Sequence, residues 1–177
     1  MGAFPGKSGI YILFYDKKIN LYIQGFVPDV SKPMVMKSMH ILLVEDNEGD
    51  ILLTREALGE VNSIRKISIT KDGREALQFL TKTGAFADAE TPDLILLDIN
   101  LPKIDGKEVL QRIKQDNTLR TIPVIILTTS SSDKDIFDTY NNHANCFITK
   151  PVDYNNFMEV IKNLESFWIK TAQLPTT

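Results

Sequence analysis

The chain has 177 residues, 43% hydrophobic and 24% charged, with a formal net charge of -3, which suits one folded domain with an appendage and a real apolar core. The charge is uneven. Residues 1–38 hold five lysines against two acids, whereas residues 39–177 hold 15 Lys and Arg against 21 acids, too acidic a balance for phosphate-backbone binding. The single cysteine, Cys146, excludes an internal disulfide framework and a cysteine metal site and fits a reducing cytoplasm.

The first 38 residues differ in texture from the rest. Ile10–Tyr15 is the longest early apolar run and ends at Asp16-Lys17-Lys18, too short for a secretory signal. No run reaches the roughly 18 residues of a membrane span. Gly6-Lys7-Ser8 lacks the first glycine and the preceding strand of a phosphate-binding loop. Ile10–Tyr15 and Ile19–Ile23 pair as a hairpin, and Pro28 to Pro33 reads as a linker. The alternative is that residues 1–38 are disordered or an extension from a mis-called start, with Met34, Met36 and Met39 as candidate starts.

From Met39 the pattern alternates strand and helix. His40–Val44 is an apolar strand, followed by helical spacing over Asp50–Val61. Ile64, Ile67 and Ile69 alternate as a sheet-edge strand. Asp72 caps a helix carrying Ala76, Leu77, Phe79 and Leu80. Leu94–Leu97 is a strand and Asp105–Gln115 a helix. Ile122–Leu127 is a strand and Asp133–Asn142 a helix. Cys146–Ile148 is a short strand, and the last helix runs from Asp153 to Ile169. Five such units predict a doubly wound α/β domain over residues 39–170, with a parallel sheet, helices on both faces and a tail at 171–177. The runs ILLV, LILL and VIIL read as strands buried on both sides.

In an open α/β sheet the site lies at the carboxyl ends of the strands. There the sequence places Glu45 and Asp46 after the first strand, Asp98 after the third, Thr128 and Thr129 after the fourth, and Thr149-Lys150-Pro151 after the fifth. Taken singly, each suits a turn or a helix cap; Asp46 or Asn47 caps the first helix on that view. Taken together, three carboxylates, a hydroxyl and an ammonium converge on one edge. Clustered carboxylates need a cation, and hard oxygen donors suit Mg2+. An Asp carboxylate can attack phosphorus to give an aspartyl phosphate. Such transfer needs mainly positioning and charge neutralisation.

The segments ILLVEDN, LILLDINLPKIDG, VIILTTS and FITKP resemble the signature blocks of the response-regulator receiver domains. The resemblance implies a flavodoxin-like (βα)5 fold of strand order 2-1-3-4-5. It implies Mg2+ held by Glu45, Asp46, Asp98 and the backbone carbonyl of Asn100, with Asp98 as phospho-acceptor. It further implies Thr128 as switch hydroxyl, Lys150 as phosphate-binding lysine, Phe147 as switch aromatic and a cis Lys150–Pro151 bond. EDNEGD at 45–50, TGAFADAETPD at 83–93 and FWIKTAQLP at 167–175 are similar to single-domain regulators of the cyanobacterial phytochrome type. The chain departs from the family at His143, where glycine is usual; glycine serves such a place by allowing positive φ.

Eight residues follow the last predicted helix, so no DNA-binding output is expected, nor any nucleic-acid or membrane partner. The implied function is a cytoplasmic two-component regulator that takes a phosphoryl group from a histidine kinase or phosphotransfer protein, phytochrome-like by the narrower resemblance. It then switches a homodimer face made by the fourth helix, fifth strand and fifth helix. Two rivals are weaker. The intact Asp46, Asp98, Thr128 and Lys150 argue against a binding module without phosphotransfer. A phosphatase with an Asp nucleophile wants a second Asp where this chain has Asn100. The chain is accordingly expected to be a phosphoryl acceptor rather than a turnover enzyme.

Overall fold

The computed structural model describes residues 38–59, 64–169, 171, 172 and 174. The predicted hairpin and the linker before the domain, and the Val61 end of the first predicted helix, lie outside the described residues.

Five strands, β1 (Met39–Val44), β2 (Ile64–Thr70), β3 (Leu94–Leu97), β4 (Val124–Thr128) and β5 (Cys146–Thr149), pair in parallel in the order β2-β1-β3-β4-β5. Five α-helices connect and follow them: α1 (Glu48–Gly59), α2 (Gly73–Leu80), α3 (Gly106–Gln115), α4 (Asp133–Asn141) and α5 (Tyr154–Leu164). The fold class and the strand order match the expectation. β2 is an edge strand, as its alternation predicted.

β1, β3 and β4 are buried along their whole length. Alternate side chains supply opposite faces of the sheet. Leu42, Val44, Ile95, Leu97, Val124 and Ile126 join one core with Ala76, Phe79 and Leu80 of α2 and Val109, Leu110 and Ile113 of α3. Ile41, Leu43, Leu94, Leu96, Ile125 and Leu127 join a second core with Ile51, Ala57 and Leu58 of α1 and Phe157, Ile161 and Leu164 of α5. Each fully buried Leu or Ile contributes about 1.5–3 kcal/mol, which the uniform apolar runs deliver on both faces. α4 is held more thinly: its one fully buried residue is Thr139.

Helix starts follow side-chain caps. Asp72, Asp105, Ser132 and Asp153 each accept a backbone N–H from the first turn of the helix that follows. α1 begins two residues before the predicted start, because Asn47 caps it. Its Oδ1 accepts from the N–H groups of Gly49 at 2.9 Å and Asp50 at 3.1 Å. β4 begins at Val124 rather than Ile122, since Pro123 has no N–H for the ladder. α5 stops at Leu164 and widens into one π turn over Glu165–Ile169, where a single helix to Ile169 was predicted. His143 adopts φ 62°, the left-handed conformation that glycine usually supplies and that His is among the side chains best able to tolerate.

Candidate functional site

The backbone carries the sheet's register one step beyond the strands. Asp98 N–H donates to the Val44 carbonyl at 3.0 Å, Lys150 N–H to the Thr128 carbonyl at 2.7 Å, and Glu45 N–H to the Thr70 carbonyl at 3.0 Å. Glu45, Asp98 and Lys150 are thus fixed by the same hydrogen-bond ladder that builds the sheet. All three are buried, as is Thr128 at the end of β4.

The Lys150 ammonium lies at the centre. It bonds Asp98 Oδ2 at 2.8 Å, Asp50 Oδ2 at 2.8 Å and the Glu45 carboxylate more closely still. Burial pushes the Glu45 carboxyl up to about 7, against the hydrogen bond from Lys150 that draws it down. Burial also works against the Lys150 charge, but the hydrogen bonds to Asp50, Asp98 and Glu45 outweigh it and hold the ammonium above the ordinary lysine range. The positive charge is therefore secure at any physiological pH.

The Asp98 loop is tied to β4 through Asn100. Its N–H donates to Asp98 Oδ1 at 2.9 Å, and its side-chain amide donates to Thr128 Oγ1 at 3.3 Å. Thr128 Oγ1 also accepts the Ser130 N–H at 3.3 Å. Ser130 Oγ donates to Asp135 Oδ2 at 2.5 Å, and Lys107 of α3 pairs with Asp135 of α4. A polar chain thus runs from the site to α4. On the other side of the loop, Gly106 packs directly on the backbone of Asp98: a Cβ there would lie 2.1 Å from the Asp98 carbonyl oxygen.

Of the residues singled out in the sequence, Glu45, Asp98 and Lys150 are in mutual contact through the ammonium, and Asn100 bridges Asp98 to Thr128. Asp46 is exposed one residue beyond Glu45, and with Asn47 acting as the cap, it is not needed for that role. Among the described residues, no three His, Cys, Asp or Glu side chains are grouped to hold a metal as they stand. The Lys150 ammonium sits between Glu45 and Asp98. The donor set itself, all carboxylate and carbonyl oxygen, fits a hard cation such as Mg2+, which would have to displace the ammonium from Glu45.

Phe147 is half-buried and packs against the core beneath α2 and α3. One expectation is corrected: the Lys150–Pro151 bond is trans, and no cis peptide occurs among the described residues. Trans is the ordinary state of such a bond, favoured by about 0.5–1 kcal/mol, and Lys150 reaches its carboxylates in that isomer. Asp50 was not foreseen. It reads as a plain acidic residue in the first turn of a helix, and its partner lies 100 residues away in sequence.

Residues 41–162 match the model of the response regulator receiver domain. The chain belongs to this family. Receiver domains serve two-component signalling, and aspartyl phosphate and Mg2+ are typical of them. Response regulator Rcp1 of Synechocystis sp. is 42% identical over 135 residues, 76% of this chain and 92% of Rcp1. The phosphorylated cyanobacterial phytochrome response regulator RcpA is similar in structure, with a TM-score of 0.76 at 47% identity over 78% of this chain and 99% of RcpA. The Mn2+-bound form of Rcp1 gives 0.75 at 42% identity, over 78% of this chain and 99% of that one. The narrower resemblance to phytochrome response regulators is thus borne out. Among the described residues no helix is long and apolar enough to cross a membrane.

Proposed function

We propose that Asp98 accepts a phosphoryl group from a histidine kinase or phosphotransfer protein. The observation that carries this is the buried Asp98 carboxylate, 2.8 Å from the Lys150 ammonium at the carboxyl edge of the sheet. An Asp98 oxygen attacks phosphorus, forming an O–P bond as the P–N bond to the donor imidazole breaks. The electron pair of that bond stays on the leaving nitrogen. The kinase is of the phytochrome class by analogy with RcpA. The reaction runs in the cytoplasm, in keeping with an acidic domain and a single half-buried cysteine thiol.

Lys150 neutralises one phosphoryl oxygen as a compact point charge. Thr128 accepts from Asn100 and Ser130, leaving its hydroxyl proton to donate to a second oxygen. Glu45, Asp46, Asp98 and the Asn100 carbonyl hold Mg2+, which supplies charge neutralisation at the transferring phosphoryl group. The chain is an acceptor and switch, not a turnover enzyme. The working unit is residues 39–170, in line with the compactness of Met36–Thr177 taken by itself.

The phosphoryl group adds about two negative charges and new acceptor oxygens beside Thr128 and Lys150. Thr128 moves toward it, and Phe147 turns into the space behind. The face of α4, β5 and α5 then forms a symmetric dimer. Phe137 (68% exposed) and Tyr140 (50%) on α4, with Tyr154 on α5, support this reading as apolar bulk left at the surface.

Intact-mass measurement with acetyl phosphate and Mg2+ tests the acceptor: the wild type gains one phosphoryl group and Asp98→Asn gains none. Equal phosphorylation of both would remove Asp98 from the role. Light scattering with and without beryllofluoride tests the dimer, and a monomer in both states at high concentration would reject it.

A further inference from the structure

We infer that Asp50 is a positioning residue that keeps the Lys150 ammonium paired when Mg2+ takes Glu45. The inference rests on the metal and acceptor roles proposed above. An ammonium has three N–H donors, and Lys150 directs them at Glu45, Asp98 and Asp50. Glu45 is claimed by the metal, and Asp98 by the metal and the phosphoryl group. Asp50 is claimed by neither. It stands in the first turn of α1, with its backbone N–H fixed by the Asn47 side chain at 3.1 Å. Its side chain is 28% exposed, against 3% for Glu45 and 6% for Asp98, so it lies at the wet rim of the cluster.

The physical need is specific. Lys150 is 4% exposed at its side chain, and removing one partner from a buried ion pair leaves an uncompensated charge, which is strongly destabilising. Binding of Mg2+ at Glu45 does this to Lys150 unless another carboxylate is already in reach. Asp50 meets that need at 2.8 Å, and its partial exposure lets it hold the ammonium without itself being stranded when Lys150 turns to a phosphoryl oxygen. An acid in a first helical turn also favours the helix dipole. That role changes stability only, and does not depend on Lys150.

The test is the Mg2+ dissociation constant of the full chain, measured by calorimetry for wild type, D50N, D50E, D46A, K150M and D50N/K150M, each checked for folding by thermal melt. D50N weakens Mg2+ about fivefold when Lys150 is present and less than about 1.5-fold in the K150M background, a coupling of the size seen between contacting groups. D50E restores most of the affinity. If D50N does not fold, D50S carries the same comparison. An unchanged constant in D50N, or an equal loss in both backgrounds, overturns the proposal. If D46A abolishes Mg2+ binding while D50N does nothing, this proposal alone falls. If D46A binds Mg2+ as well as wild type, the metal site falls and this proposal with it.

Discussion

Gly106→Ala offers the sharpest test of how the fold positions the proposed acceptor, Asp98. The added Cβ would lie 2.1 Å from the Asp98 carbonyl oxygen, 2.6 Å from Ile99 Cα and 3.0 Å from the Asp98 carbonyl carbon. The nearest approach is about 1.3 Å short of an ordinary contact, on the steep repulsive side of the potential. All three atoms are backbone, so no flexible side chain can swing away. The loop must shift, straining the bonds from Gly106 N–H to the Ile99 carbonyl and from Asp98 N–H to the Val44 carbonyl, both 3.0 Å. Overpacking of this kind costs about 1–3 kcal/mol. A displacement near 1 Å at a reacting group slows transfer on the order of 100-fold. Gly73→Ala is the matched control: its Cβ would sit 2.1 Å from the Ile104 carbonyl oxygen, six residues beyond the acceptor. Urea unfolding should show both variants destabilised. Phosphorylation by acetyl phosphate, followed by intact mass, should be slowed far more in Gly106→Ala. Equal rates in the two variants, or a Gly106→Ala protein as stable and as quickly phosphorylated as wild type, would refute the reasoning.

Lys150→Met leaves Glu45, Asp50 and Asp98 together without their cation, so it should lose phosphorylation yet bind Mg2+ more tightly than wild type. The thermal shift on adding Mg2+ should grow accordingly, and a smaller shift would argue that the ammonium does not compete with the metal. His40 is buried, and its pKa is drawn below the ordinary value first by burial and then by Lys66 and Arg65. The folded protein therefore keeps it neutral while the unfolded chain takes up a proton near about pH 6.5. Its contribution to stability is full above that pH and declines as pH falls toward the lowered folded-state value. The urea midpoint should fall from pH 7.5 to 5, and more shallowly in His40→Gln; parallel slopes would exclude His40 as the cause.

Most of the fold was legible because both cues it depends on are local. The runs ILLV, LILL and VIIL announce strands buried on two faces, and the residue after each run is by construction at the carboxyl edge. That rule puts Glu45, Asp98 and Thr128 at one edge, and the short run Cys146–Ile148 adds Lys150. What escaped depended on side chains meeting across the chain. Asp50 looks like any acid at a helix start, and only the seating of α1 beside α5 brings it to Lys150. The division of labour in Asp46-Asn47 was ambiguous because either residue can cap; the Asn47 hydrogen bonds assign that role. The apolar spacing continues past Leu164 to Trp168, which packs on the same core as Phe157, Ile161 and Leu164, so periodicity alone runs through the change from α to π geometry. The trans Lys150–Pro151 bond corrects an expectation taken from resemblance, which local sequence does not specify.

The uniform apolar strands carry a cost in folding fidelity. A parallel strand that slips by one residue presents every side chain to the opposite face. Across Ile41–Val44 of β1, Leu94–Leu97 of β3 and Val124–Leu127 of β4 such a slip exchanges one buried aliphatic for another, so hydrophobic patterning alone scarcely penalises it. The polar residues at the strand ends do. A one-residue slip of β3 would move Asp98 from the sheet's carboxyl edge into its interior and away from Lys150, leaving a carboxylate unpaired among apolar side chains, which costs several kcal/mol. The residues proposed to do the chemistry thus also proof-read strand alignment. An apolar replacement at Asp98 would remove that check together with the acceptor, and the strands would then be free to settle in more than one alignment.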